Sequence, residues 1–266
     1  MTEIIKTLLF RLKKTTYFWI LLAIALLLPV FGALLIDLSL KMGEALNEPI
    51  EQLMNQMLAQ YGGLSGLMSG FTSISSNPMI LSIIFASVFL SAEFKSGTVR
   101  NAIIAGKSRS QLYLSYYLVA LIGGFGIFVS MGLVFRFENA TGNTVTELLY
   151  CFLLGLLAIV FVQTLVCAFL FNTRSRVLTI VIPLIICILG PGIIATIVET
   201  VSVKDIIANG YIDVYSLQYV PFYNTTLLAA TKFSTANVLM IIAYYVVFSS
   251  AIFCASYFPF HKADLK

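Results

Sequence analysis

Side chains able to do chemistry are few in this chain, and they stand far apart. The only histidine is His261. A His-ligated metal site, a haem held by histidine and a Ser–His hydrolase each lack a required residue. The four cysteines, Cys151, Cys167, Cys187 and Cys254, all lie inside apolar runs and none lies in a loop. They read as small hydrophobes rather than as a disulfide framework or a zinc site. Gly106-Lys107-Ser108 looks like the end of a phosphate-binding loop, but the glycine that should open the loop is Asn101. No strand precedes it, so ATP is not expected there. The chain carries no catalytic set, no metal site and no cofactor site of its own. It does not read as an enzyme.

The remaining polar side chains have to be positioned by elements built for lipid. Charged residues make up 11 % of the 266 residues and hydrophobic ones 59 %, whereas soluble domains carry roughly 25 % charge. A crossing helix needs about 20 apolar residues. Six segments meet or approach that length: 17–36, 71–90, 112–135, 148–171, 177–198 and 238–258. The second contains Ser73, Ser75, Ser76, Asn77 and Pro78, so its outer half reads equally as loop. Because lone strands would leave backbone groups unpaired in hydrocarbon, helices are expected throughout. The fold class is an all-α membrane protein, one transmembrane domain over 1–266 with six spans.

Lysine and arginine orient it. With the N-terminus in the cytoplasm, twelve of the 16 basic residues fall on the inner side and nine of the 12 acidic ones on the outer side. Both termini are therefore expected to be cytoplasmic. This clustering between apolar runs also argues against nucleic acid as a partner. Residues 2–14 set Ile4, Ile5, Leu8, Leu9 and Leu12 at helical spacing among Lys6, Lys13 and Lys14. That suits a helix lying in the inner interface with its lysines snorkelling. It does not read as a cleaved signal, since no small-residue site closes the long apolar run that follows. The outer segments 37–77 and 199–236 have no firm path. Gly62, Gly66 and Gly70 punctuate the first, and Tyr211, Tyr215, Tyr219, Phe222 and Tyr223 surround Pro221 in the second. Two sequons at Asn139 and Asn224 fall on outer loops and carry no meaning in a bacterial host.

None of the six spans, as bounded here, contains Asp, Glu, Lys, Arg or His. Ion-coupled transporters place ionisable groups near the midplane to bind the driving ion. Here the polar groups are Gln163, Thr164, Ser115 and Ser130, which could line a cargo pathway or a dimer interface. For Gln163 an interhelical hydrogen bond is an equally natural role. Gly123, Gly124, Gly126 and Gly132 allow close helix approach, and Gly190-Pro191-Gly192 should kink the fifth span near its outer end, as a hinge or a static bend.

Between spans two and three, Thr98 can cap a short helix and Gly106 can end it. Val99, Arg100, Asn101, Ile103 and Ile104 lie between them. The run Glu93-Phe-Lys-Ser-Gly97-Thr98-Val-Arg100, followed by Gly106-Lys107-Ser-Arg109, resembles the inner loop of ABC-2 type permeases, the membrane subunits of ATP-driven exporters. The resemblance implies a short coupling helix, formed or oriented by Glu93, Gly97, Thr98 and Arg100 with Val99 and Asn101, and a second, smaller inner contact at Arg174 and Arg176. It implies two ATPase subunits on separate chains, carrying ATP and magnesium, and a second permease copy. Compact permeases of this size are similar to exporters of modulin-type antimicrobial peptides and to lantibiotic-immunity subunits, which implies an amphipathic or hydrophobic cargo, a peptide first. A secondary transporter or channel, and a non-transporting immunity scaffold, are the competing classes. The chain alone, reconstituted in vesicles, is expected to concentrate no solute under a proton or sodium gradient; flux measured without ATP checks this.

Overall fold

Apolar runs of this length must pair every backbone N–H and C=O internally, and here they do so as helices. A computed structural model describes residues 2–46, 76–139, 145–190, 193 and 235–262. The helices are α1 (Thr2–Lys14), α2 (Thr16–Leu46), α3 (Asn77–Lys95), α4 (Thr98–Ile104), α5 (Arg109–Asn139), α6 (Val145–Thr173), α7 (Arg176–Gly190) and α8 (Thr235–Lys262). No strand occurs among the described residues.

Four of these helices contain stretches long and apolar enough to cross a membrane: Asn77–Lys95, Arg109–Gly132, Phe152–Thr173 and Leu239–Lys262. A fifth crossing is reached if α1 and Thr16–Gly32 of α2, bent by 66°, are taken together. The expected number was six. The difference lies at α7, whose described residues at 1.5 Å each extend roughly 22 Å, short of the ~30 Å hydrocarbon. Much of the rest of the expected span 177–198 lies outside the described residues.

The second span also differs from expectation. Helix α3 begins at Asn77, six residues after the expected start, and runs on to Lys95. Pro78 sets that beginning, because a residue without an N–H fits only the first turn. The shift has a chemical consequence: Glu93, expected in the loop, sits inside the helix and is buried.

Helix α1 forms over the residues expected, but its apolar face is turned to protein. Leu8 and Leu12 are buried, and Ile4, Ile5 and Leu9 pack against the same core. The α1–α2 corner is tied by Trp19, whose indole N–H donates to the Lys13 carbonyl at 2.8 Å. Thr15 Oγ1 donates back to the Arg11 carbonyl at 2.7 Å. Both bonds satisfy carbonyls that the end of α1 leaves open.

Helix α5 is central, packing on α1, α2, α3, α6 and α8, while α6 and α8 form the most extensive pair. Glycines let these helices close up. The Phe85 ring of α3 fills the space a Cβ on Gly123 would need, and Phe128 of α5 does the same at Gly155 of α6. A Cβ on Gly124 would come within 2.5 Å of Gln163 Nε2.

Toward the end of the bundle that carries α4, aromatic rings from four helices meet. Phe171 of α6 lies 4.6 Å from Tyr113 of α5, 4.6 Å from Phe260 of α8 and 5.2 Å from Phe94 of α3, centroid to centroid. Tyr113 and Ser256 hydroxyls are 2.5 Å apart, and Tyr257 donates to Ser110 at 2.7 Å. The N-terminal helix and the end of α8 thus lie at the same end of the molecule, Lys107 pairing with Glu3 and Arg109 bonding the His261 carbonyl.

Gly123→Ala should lower the thermal midpoint in detergent, since overpacking a filled contact costs about 1–3 kcal/mol. Gly32→Ala meets nothing within 4 Å and should leave the midpoint unchanged or slightly raised.

Candidate functional site

The site starts at one glycine. Gly97 has φ 71° and serves two helices: its N–H donates to Phe94 at 3.2 Å, closing α3, and its carbonyl accepts from Asn101 at 2.9 Å, opening α4. It is therefore the N-cap of α4, and Thr98 is the first helical residue, making no side-chain cap. The expected Thr98 cap is corrected for a simple reason. The chain must reverse through left-handed backbone here, which glycine adopts without strain. The far end agrees with expectation. Gly106, with φ 82°, donates to the Ile103 carbonyl and Lys107 donates to that of Ala102, both at 3.0 Å, the paired closure of a Schellman motif.

Between these glycines α4 has two faces. Val99 is 3 % exposed and Ala102 and Ile103 pack on the core, while Arg100, Asn101 and Ile104 face outward. Ile104 is 74 % exposed, an isolated apolar knob beside a cation and an amide.

What fixes this helix is an ion pair. Arg11 Nη1 of α1 lies 2.6 Å from Glu93 Oε2 of α3, and Glu93 is only 7 % exposed. The same nitrogen reaches Thr98 Oγ1 at 3.4 Å; Thr98 and Ser96 hydroxyls are 2.6 Å apart, and Ser96 Oγ donates to the Glu93 carbonyl at 3.1 Å. One consistent run of donors thus leads from Arg11 through Thr98 and Ser96 to the backbone of Glu93, joining α1, α3 and α4. Glu93 is turned inward and paired with Arg11, while the outward side of α4 carries Arg100, Asn101 and Ile104.

Arg174 and Arg176 stand apart from the outer face of α4. With Lys95, Ser96, Ala92 and Phe94 they line a cleft of about 550 Å³ between the last turn of α3 and the α6–α7 connection. The four polar span residues are internal. Gln163 Nε2 of α6 donates to the Ser82 carbonyl of α3 at 3.3 Å, and its Oε1 finds no hydrogen bond. Thr164 donates to the Val160 carbonyl at 2.6 Å and lies 2.9 Å from the Tyr117 hydroxyl. Ser115 and Ser130 donate within α5, to Gln111 and Ile127. Of the hinge residues, Gly190 is the last described residue of α7, and Pro191 and Gly192 lie outside the described residues.

Sequence reasoning missed Arg11, which it counted only as part of a basic flank. A signal was present. Arg11 stands three residues after Leu8 on α1, hence on the face turned to the bundle, and Glu93 is the one carboxylate of the loop that needs a cation.

Compared with known families, residues 4–190 match the ABC-2 family transporter protein. The chain belongs to that family. No curated protein and no solved structure gives a significant match. Members are membrane subunits that usually work with ABC ATPase partners, and the match covers α1, the α3–α4 turn and the arginines at 174 and 176 alike. For this ABC-2 chain, Arg11→Gln should cost about 3 kcal/mol, the low end for stranding a buried carboxylate because Arg11 itself is partly exposed, with part recovered in Arg11→Gln/Glu93→Gln; a double-mutant cycle on melting reads both. Gly97→Ala should cost about 1 kcal/mol from backbone strain alone, as nothing lies within 4 Å of its Cβ position.

Proposed function

We propose that this chain is the transmembrane subunit of an ATP-driven exporter, two copies forming the path and two ATPase subunits on separate chains supplying the work. Its cargo is an amphipathic or hydrophobic molecule, a peptide before others. The observation that carries this reading is the outward face of α4: Arg100, Asn101 and Ile104 on a short helix whose other face is locked by Val99 and by the Arg11–Glu93 pair. A short helix bolted to two others passes on a push, where a free loop would absorb it.

The reading places the α4 end of the bundle in the cytoplasm, as the basic residues favour, with α1 along the inner membrane surface and six crossings once the chain beyond Gly190 completes the fifth. ATP binding draws the two ATPases together and moves α4. The last turn of α3 follows, and Phe94 carries the movement to the rings of α5, α6 and α8. Spans nearly free of titratable groups offer a cargo weak polar contacts and apolar walls, which suits acyl chains or hydrophobic side chains. In the arrangement described, Gln163, Thr164, Ser115 and Ser130 are internal, so their contact with cargo belongs to a state in which α3, α5 and α6 have parted. Gly190-Pro191-Gly192 is the proposed hinge for that parting. The chain resembles modulin-exporter and lantibiotic-immunity permeases, and this reading extends their task to it.

The test is co-purification with the candidate ATPase. Ile104→Glu and Arg100→Ala should each reduce complex formation at least tenfold and uncouple ATP hydrolysis from cargo, with the fold of the permease intact by melting. Glu93→Ala should act through α4 and weaken coupling as well. Unchanged association and coupled hydrolysis in Arg100→Ala and Glu93→Ala would remove α4 from the role.

A further inference from the structure

We propose that the cleft between the last turn of α3 and the α6–α7 connection is a binding site for an anionic phospholipid, the phosphate held by Lys95 and Arg176 and the acyl chains laid along the exposed face of α7. This rests on α3, α6 and α7 ending at a membrane surface and not on the export reading.

The cleft holds about 550 Å³ and brings three cations together with the Ser96 hydroxyl over a floor of Ala92 and Phe94. Among the described residues no carboxylate lines it. Glu93 is engaged by Arg11 in a different notch, between α1, α2 and α3. Lys95 and Arg176 on a partly apolar floor favour a ligand of concentrated negative charge. A zwitterionic headgroup brings its own cation into this field and gains less.

A second observation identifies what hangs from the charge. Helix α7 buries one stripe, Thr179, Pro183 and Cys187, and leaves its other sides open. Val177 is 67 % exposed, and Leu178, Val181, Ile185 and Ile188 continue the apolar lane away from the cleft. The lane begins at the residue following Arg176, so the cationic cleft and the hydrocarbon-facing surface are contiguous. Basic residues at the head of an apolar helical face mark headgroup depth. A soluble phosphate would use the cations and ignore the lane, and so would an acidic protein segment. A phospholipid uses both.

The backbone adds a third sign. Arg174 closes α6 with φ 54°, its N–H donating to Leu170 at 2.8 Å. A side chain there is strained where glycine would not be, and that backbone fixes the turn that carries the chain from α6 to Arg176. Because the cleft shares the last turn of α3 with the turn at Gly97, a lipid seated in it would brace α3 against α7 beside α4.

The experiment uses the purified, delipidated chain and native mass spectrometry with palmitoyl-oleoyl phosphatidylglycerol or phosphatidylcholine. One bound lipid with at least a fivefold preference for phosphatidylglycerol is expected, each cation near the surface contributing about fivefold. Lys95→Gln/Arg176→Gln should reduce the preference to within twofold, and Lys95→Arg/Arg176→Lys should keep it. Glycerol 3-phosphate at equal concentration should not compete, which separates a lipid from a free phosphate. If the Gln pair fails to fold, Arg176→Gln alone is read the same way, with about a fivefold loss. Equal affinity for the two lipids, or a preference that survives the Gln substitutions, overturns the proposal. So does protection of Lys95 from amine acylation by a co-purified ATPase in phosphatidylcholine alone, which would give the cleft to an acidic protein segment.

Discussion

A carboxylate inside an apolar helix cannot stand alone, and the basic end of this molecule is organised around that demand. Glu93 is buried within α3, where an unpaired charge would cost several kcal/mol. Arg11 answers from a helix 82 residues away in sequence, at 2.6 Å. To deliver that guanidinium, α1 must lie back across the bundle, which requires the 66° corner and the Trp19 bond that holds it. With α1 in place, the remaining reach of Arg11 meets Thr98, and α4 is fixed as well. One desolvated charge thus sets the relation of three helices.

Beneath this polar junction the packing is aromatic. Phe94 follows Glu93 directly, and its ring rests edge-on against Phe171, which also touches Tyr113 and Phe260. Ring contacts of this kind add to plain burial and prefer defined angles. A displacement of the last turn of α3 therefore has nowhere to dissipate. It must be shared by the ends of α5, α6 and α8.

Much of this was legible in the residues. Composition and run length gave helices and the membrane class, because hydrocarbon permits few alternatives. The glycine at 106 announced the end of α4, since left-handed backbone is cheap only there. Other features were not legible for physical reasons. The start of α3 was placed six residues early because apolarity continues through Phe71 and Ile74, and Pro78 overrides it. The apolar face of α1 was expected to meet lipid; hydropathy measures only the wish to leave water, so it cannot tell Leu8 against lipid from Leu8 against α5. The Arg11–Glu93 pair and the cleft uniting Lys95 with Arg174 and Arg176 are long-range juxtapositions, and no local period encodes them. Gln163 was left between a pathway and an interhelical bond, and in the folded chain it bonds Ser82.

The two left-handed glycines that bracket α4 make its length more constrained than its composition. Each residue turns an α-helix by about 100°, so inserting or deleting one between Gly97 and Gly106 would rotate Arg100 and Ile104 off the outer side and roll Val99 out of the core. Substitution on the outer side disturbs nothing inside. Descendants of this chain could therefore rewrite those few outward letters freely, while any frame of different size would be discarded: a spacer under strict measure whose outer side stays open to revision.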